Sequence, residues 1–222
     1  TKLPKYGTTP VNFSTNPNIN QSVDMYNLVA KIKLSSIKTD FSGTAYDGAT
    51  FEPKEVFLYN ANTTCTFGGT GSAPQIGENT DTSYAVTTPN NYYYLSSGII
   101  ASYNEESPTP YTFYTFPNAS AKPTKIVIKG AFTPNGGKAE YVYYPITINK
   151  FQDGTTITKG ENKLTGADEN DSKIVQSTSY DVSITINGKG VKTPDSNITP
   201  ATATITMKVM DWTDYTQAVT VK

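Results

Sequence analysis

Asp168, Glu169, Asn170, Asp171 and Ser172 crowd five oxygen-bearing side chains into one short stretch, loosely like a calcium loop. The glycine that bends an EF-hand loop and the bidentate Glu that closes it are both missing, so the stretch Asp168–Asp171 reads as a solvated loop. Glycosidase work needs two carboxylates at a set separation in space, for which Glu105 with Asp153 is one candidate pair, and spacing in sequence does not give that separation. As loop carboxylates, both read as solvated. Cys65 lies in Asn62-Thr-Thr-Cys-Thr-Phe67, and a thiol nucleophile needs a neighbour, commonly His, that lowers its pKa. No such neighbour exists in the sequence, so Cys65 reads as a small structural side chain whose replacement by Ser is tolerated. Tyr92–Tyr94 and Tyr141–Tyr144 carry rings that stack sugars in other proteins. Successive strand residues point to opposite faces, so at most half of either cluster lines one surface, and packing is the favoured reading.

The absent residue types narrow the chemistry further. Among the 222 residues there is no His, and all 18 basic side chains are Lys, so Arg is missing as well. Without His there is no ordinary Ser-His-Asp or Cys-His relay and no His-containing zinc site. Without Arg there is no bidentate clamp for phosphate or carboxylate. A single Cys permits neither an intrachain disulfide nor a Cys-rich metal cluster. The 18 cations face 19 acidic residues, a net charge of −1 with no long run of either sign, which provides no field for nucleic acid. No catalytic, cofactor-binding or metal-binding residue is assigned, no cofactor is expected, and the chain reads as a non-enzyme. Asn-x-Ser/Thr triplets at Asn62, Asn118 and Asn197 are expected by chance in a protein so rich in Asn and Thr.

The elements that position these side chains read as strands. Thr, Ser, Asn, Gly and Tyr dominate, a composition that suits strands and turns. No window shows the helical spacing of apolar residues. None approaches the roughly 20 apolar residues of a membrane-spanning helix. Thr1–Ser22, with three prolines and no period, reads as an extended leader of a processed form. Leu28, Ala30, Ile32 and Leu34 alternate with Lys31, Lys33 and Ser35 and predict the first strand. Lys54–Asn62 predicts a second, followed by a long loop from Gly68 to Thr82. Tyr111–Phe116 predicts another. Lys125–Phe132 and Ala139–Asn149 flank Pro134-Asn-Gly-Gly137 and predict a hairpin. Asp153–Val175 reads as a polar segment. Tyr180–Ile186, Ala203–Val209 and Tyr215–Val221 each alternate cleanly. The prolines of Phe116–Pro123 suggest a boundary. The expected organisation is therefore two domains, residues 1–120 and 121–222.

The ordered combination Val142-Tyr-Tyr-Pro-Ile-Thr-Ile-Asn149, Ser179-Tyr-Asp-Val-Ser-Ile-Thr-Ile-Asn-Gly-Lys-Gly190, Pro194 and Ala203–Trp212 resembles the fimbrillins, the FimA/Mfa-type type V pilins of Bacteroidia. Asn27–Leu34 and Val56–Ala61 look like the two opening strands of that family. The resemblance implies an all-β fold of two tandem transthyretin-like β-sandwich domains. It further implies export as a lipoprotein precursor, protease removal of an N-terminal strand, and a cell-surface fimbria associated with the outer membrane. The partners would be other copies of itself or related fimbrial subunits, joined by donor-strand exchange, with a host glycan or protein as a further partner. Tyr215, Gln217, Val219 and Val221 would face the partner from the donor strand, and Leu28, Ala30, Ile32 and Leu34 are the candidates for the acceptor groove. A rival reading is a pilus-tip adhesin or a carbohydrate-binding surface module.

Overall fold

The computed structural model describes residues 3–11, 19–62, 65, 92–93, 100, 102–119, 121–150, 155–159, 172–212 and 215–221. Twelve strands are formed by these residues, and no helix. They are β1 (Lys5–Tyr6), β2 (Ile19–Asn27), β3 (Ala30–Thr39), β4 (Thr50–Tyr59), β5 (Tyr92–Tyr93), β6 (Tyr111–Thr115), β7 (Lys125–Thr133), β8 (Glu140–Thr147), β9 (Thr155–Lys159), β10 (Thr178–Ile186), β11 (Ala203–Asp211) and β12 (Tyr215–Val221).

A five-stranded sheet, β6-β3-β10-β11-β9, and a four-stranded sheet, β5-β4-β7-β8, share one buried core. The alternation legible in the sequence decides which side chains enter it. Ala30, Ile32 and Leu34 of β3, Tyr180, Val182, Ile184 and Ile186 of β10, and Ala203, Ile205, Met207 and Val209 of β11 come from the larger sheet. They meet Val56 and Leu58 of β4, Ile126, Ile128 and Phe132 of β7, and Val142, Tyr144 and Ile146 of β8. Burial of each such aliphatic group contributes about 1.5–3 kcal/mol, which makes this seam the main source of cohesion. The architecture is a β-sandwich.

The pairing does not follow the division expected at residue 120. β3 runs parallel to β10, from Lys31 opposite Ser179 to Thr39 opposite Ile186. β4 runs antiparallel to β7, from Thr50 opposite Thr133 to Tyr59 opposite Lys125. Strands from both halves thus lie side by side in each sheet and feed one core, so two tandem sandwiches split at 120 are not what these residues form. The segment taken for a linker is built into the sandwich. Pro117 and Asn118 are buried, the Asn118 N–H donates to the Ile174 carbonyl at 3.1 Å, and the Ile174 N–H returns to Asn118 at 2.8 Å. The Asn118 side-chain amide donates to the Asn60 and Lys122 carbonyls and to Thr124 Oγ1. Prolines interrupt a ladder, and here a buried asparagine satisfies the backbone that they leave unpaired.

Two further expectations are revised. β4 begins at Thr50, ahead of Lys54, and absorbs Pro53 at a break in register between Pro53 and Glu55. A bulge tolerates a residue that cannot donate to the ladder. The leader is partly paired: Lys5 and Tyr6 stand opposite Asn27 and Tyr26, and Ile19 opens β2.

Candidate assembly surface

β2 is the middle strand of a third sheet, ordered β1-β2-β12. β12 pairs antiparallel with it over seven residues, Tyr215 opposite Met25, Gln217 opposite Val23, Val219 opposite Gln21 and Val221 opposite Ile19. The strand expected to serve as donor therefore pairs within its own molecule, with the end of the supposed leader. None of the described side chains of β1 and β2 belongs to the buried apolar core; Val23, Met25 and Tyr26 are half-buried, and Ser22 and Asp24 are exposed. Strands β1, β2 and β12 thus form a lamina of their own.

Its attachment to the sandwich is local and specific. Leu28 N–H donates to the Pro4 carbonyl at 2.9 Å, and Ser177 N–H donates to the Val29 carbonyl at 3.1 Å. Ser177 Oγ donates to the Asn27 carbonyl at 3.2 Å. On the β12 side, Trp212 N–H donates to the Ser177 carbonyl at 2.7 Å. The Trp212 ring stacks on Tyr114 of β6 with centroids 5.5 Å apart and planes 18° from parallel. The Lys31 ammonium sits 5.3 Å from the centre of the same indole. Trp212 is thus fixed on the outer face of the larger sheet, three residues before β12 starts.

The acceptor-groove candidates lie elsewhere. Leu28, Ala30, Ile32 and Leu34 are all buried. β3 has β6 along one edge and β10 along the other, so both of its hydrogen-bonding edges are occupied. Alternation marks burial, and burial in a finished core reads the same in sequence as burial beneath an incoming strand.

The connection between β10 and β11 forms a strap across the smaller sheet. Val191 and Tyr143 exchange both backbone hydrogen bonds, at 2.8 and 2.9 Å, which covers one position on the edge of β8. Beyond it, Lys125 of β7, only 6% exposed, points its ammonium at the carbonyls of Pro194 (3.1 Å), Asp195 (2.9 Å) and Ser196 (3.3 Å). Tyr59 donates its hydroxyl to Asp195 Oδ1 at 2.5 Å. Burial pulls the Lys125 pKa below its ordinary value, and the Asp195 charge opposes that shift. Nothing in the sequence signals this clamp, because a Lys at the head of a strand normally faces water.

Glu105 accepts hydrogen bonds from Thr39 N–H and Oγ1, at 3.3 and 2.8 Å, as a structural group. Asp153, the Asp168–Asp171 loop and Tyr94 lie outside the described residues, as do the side chains of Tyr92 and Tyr93. Cys65 is half-buried, and desolvation raises its thiol pKa, away from a reactive thiolate. The second tyrosine cluster divides by face. Val142 and Tyr144 enter the core, while Tyr141 is 63% exposed and Tyr143 half-buried on the other side. The Lys129 ammonium lies 5.4 Å from the Tyr141 ring and 3.1 Å from Glu55.

Solved structures similar to this one include fimbrial and cell adhesion proteins. A fimbrilin from Porphyromonas gingivalis superposes with a TM-score of 0.57 at 17% identity, over 85% of this chain and 59% of that one. The chain has the fold of a fimbrilin. A putative cell adhesion protein from Parabacteroides distasonis aligns with a TM-score of 0.52 at 18% identity, over 86% of this chain and 60% of its own. One from Bacteroides eggerthii gives 0.50 at 20% identity, over 86% and 57%. This chain spans about three fifths of the length of these fimbrilin-fold proteins. No protein family model and no curated protein matches the sequence.

Proposed function

We propose that this protein is a structural subunit of a cell-surface fimbria, exported as a lipoprotein precursor, whose activity is polymerisation by strand exchange in support of adhesion and biofilm. The observation that carries the reading is the terminal sheet. β12 is held by a seven-residue ladder to β2 and by the Trp212 anchor, and β2 contributes no described side chain to the apolar core. A strand so attached exchanges one β2 for the β2 of another copy and recovers the same backbone hydrogen bonds, so the swap costs little and is driven by concentration.

In this reading β12 is the donor, with Tyr215, Gln217, Val219 and Val221 along its inserted face. The acceptor moves from β3, whose edges are filled, to β2 of the neighbouring subunit. The fimbrilin fold supports the assignment to a fimbria. The experiment is electron microscopy of the purified protein beside a version ending at Asp214. Fibres from the full protein and none from the shortened one support the proposal, and fibres from both overturn it.

A further inference from the structure

The sequence holds two Asn-Gly steps, Asn135-Gly136 and Asn187-Gly188. Glycine has no Cβ to shield its backbone nitrogen or restrict its dihedrals, so that nitrogen approaches the preceding Asn side chain more easily than any other residue's would. Attack on Asn Cγ forms a five-membered imide, breaks the Cγ–Nδ2 bond and expels ammonia. Water then opens the imide to aspartate or its β-linked isomer, so water is the only co-reactant.

The fold treats the two steps differently. Asn187-Gly188 is locked: both backbone N–H groups donate to the Thr202 carbonyl, at 3.0 Å each. The Asn187 amide donates to the Asp40 carbonyl at 3.1 Å, and Thr204 Oγ1 donates to Asn187 Oδ1 at 3.3 Å. The attacking nitrogen and the carbonyl it would attack are both held in hydrogen bonds, and Gly188 is buried. Asn135-Gly136 sits at the exposed tip of the β7–β8 hairpin. The turn closes through Gly137 N–H to the Pro134 carbonyl at 2.9 Å, and Gly136 takes a φ of 68°. Gly136 N–H meets no acceptor among the described residues. Among the described residues, the single tether on the Asn135 side chain is a 3.5 Å contact from Nδ2 to the Asp47 carbonyl.

We propose that Asn135 is a site of spontaneous deamidation in the folded protein, and that Asn187, with the same Asn-Gly step, is protected by the fold. Conversion replaces a donor that faces the Asp47 carbonyl with a carboxylate that repels it, so the product separates the hairpin tip from the Asp47-Gly48 turn. At the cell surface, the location that rests on the function proposed above, the modification accumulates with age at the tip of the β7–β8 hairpin.

The test is peptide mass mapping after prolonged incubation in mildly alkaline buffer, with one sample folded and a second unfolded in urea. Tryptic cleavage separates the two sites, since Gly130–Lys138 carries Asn135 and Ile174–Lys189 carries Asn187. In the unfolded sample both fragments gain the mass of an amide-to-acid conversion. In the folded sample the Asn135 fragment converts at a comparable rate, while the Asn187 fragment is slowed at least about tenfold, because conversion there must wait for local opening. Folded-state conversion at equal rates in both fragments, or an Asn135 fragment that stays intact only when folded, overturns the proposal. Asn135→Gln removes the folded-state signal and serves as the assignment control.

Discussion

Trp212 and Tyr114 stack face to face with centroids 5.5 Å apart, and this contact joins the last described residue before β12 to the edge strand of the larger sheet. Trp212 is the sole tryptophan, so fluorescence excited selectively at tryptophan, beyond the absorption of the 16 tyrosines, reports on this anchor alone. Tyr114→Ala removes a stacked pair worth about 0.5–1.5 kcal/mol beyond its area. The expected outcome is a shifted Trp emission in the native state and a melting temperature lowered by a few degrees. Unchanged emission would mean that the stack does not persist in solution.

Lys125 holds the strap by donating to three carbonyls. Lys125→Met keeps the bulk of the side chain and deletes every donor. Asp195 and Ser196 are exposed, so water replaces the ammonium there, while Pro194 is buried and its carbonyl is left unsatisfied. The expected loss is about 1–3 kcal/mol in urea unfolding, the cost of one such group. Faster amide exchange at Tyr143 and Val191 than in the parent protein would accompany it.

Alkaline pH should weaken the fold. Burial raises the phenol pKa of Tyr144, Tyr143, Tyr111 and Tyr103. A group whose folded pKa lies above its unfolded value stabilises fully below the unfolded value, and that stabilisation is lost as pH climbs through the folded one. The loss starts near the ordinary phenol pKa of about 10. Lys125 acts in the opposite sense, since its lowered pKa lets the folded state shed a proton first, but its effect is complete by the ordinary lysine pKa of about 10.4. Unfolding free energy measured against pH should fall above that point, less steeply in Tyr144→Phe. A flat profile would contradict the burial of these hydroxyls.

Much of the sandwich was legible in the sequence, because strand alternation states which side chains face inward. Ile32 and Leu34, Tyr180 to Ile186, and Ala203 to Val209 all obeyed it, and Pro134-Asn-Gly-Gly137 closed the hairpin as its glycines imply. Pairing partners were not legible. Alternation fixes a face and leaves the neighbour open, so the parallel contact of β3 with β10 across the supposed boundary could not be foreseen. The mate of β12 was hidden for a related reason: Ile19–Asn27 reads Ile-Asn-Gln-Ser-Val-Asp-Met-Tyr-Asn, with too few alternating apolar residues to mark a strand. Lys125 was hidden because its partners are backbone carbonyls distant in sequence, which carry no side-chain signature.

The central claim is that β12 leaves its own β2 to bind another copy's. Ser22 and Ala218 stand directly opposite each other in the β2–β12 ladder. Opposed antiparallel residues have Cα separations of about 4.5–5.5 Å, within the range that a disulfide spans. The measurement is polymer formation by Ser22→Cys/Ala218→Cys in a Cys65→Ser background, oxidised as the monomer and then reduced. The account predicts a stable monomer without fibres while the bond is closed and normal fibres once it is opened. Fibres assembled with the disulfide intact would contradict it.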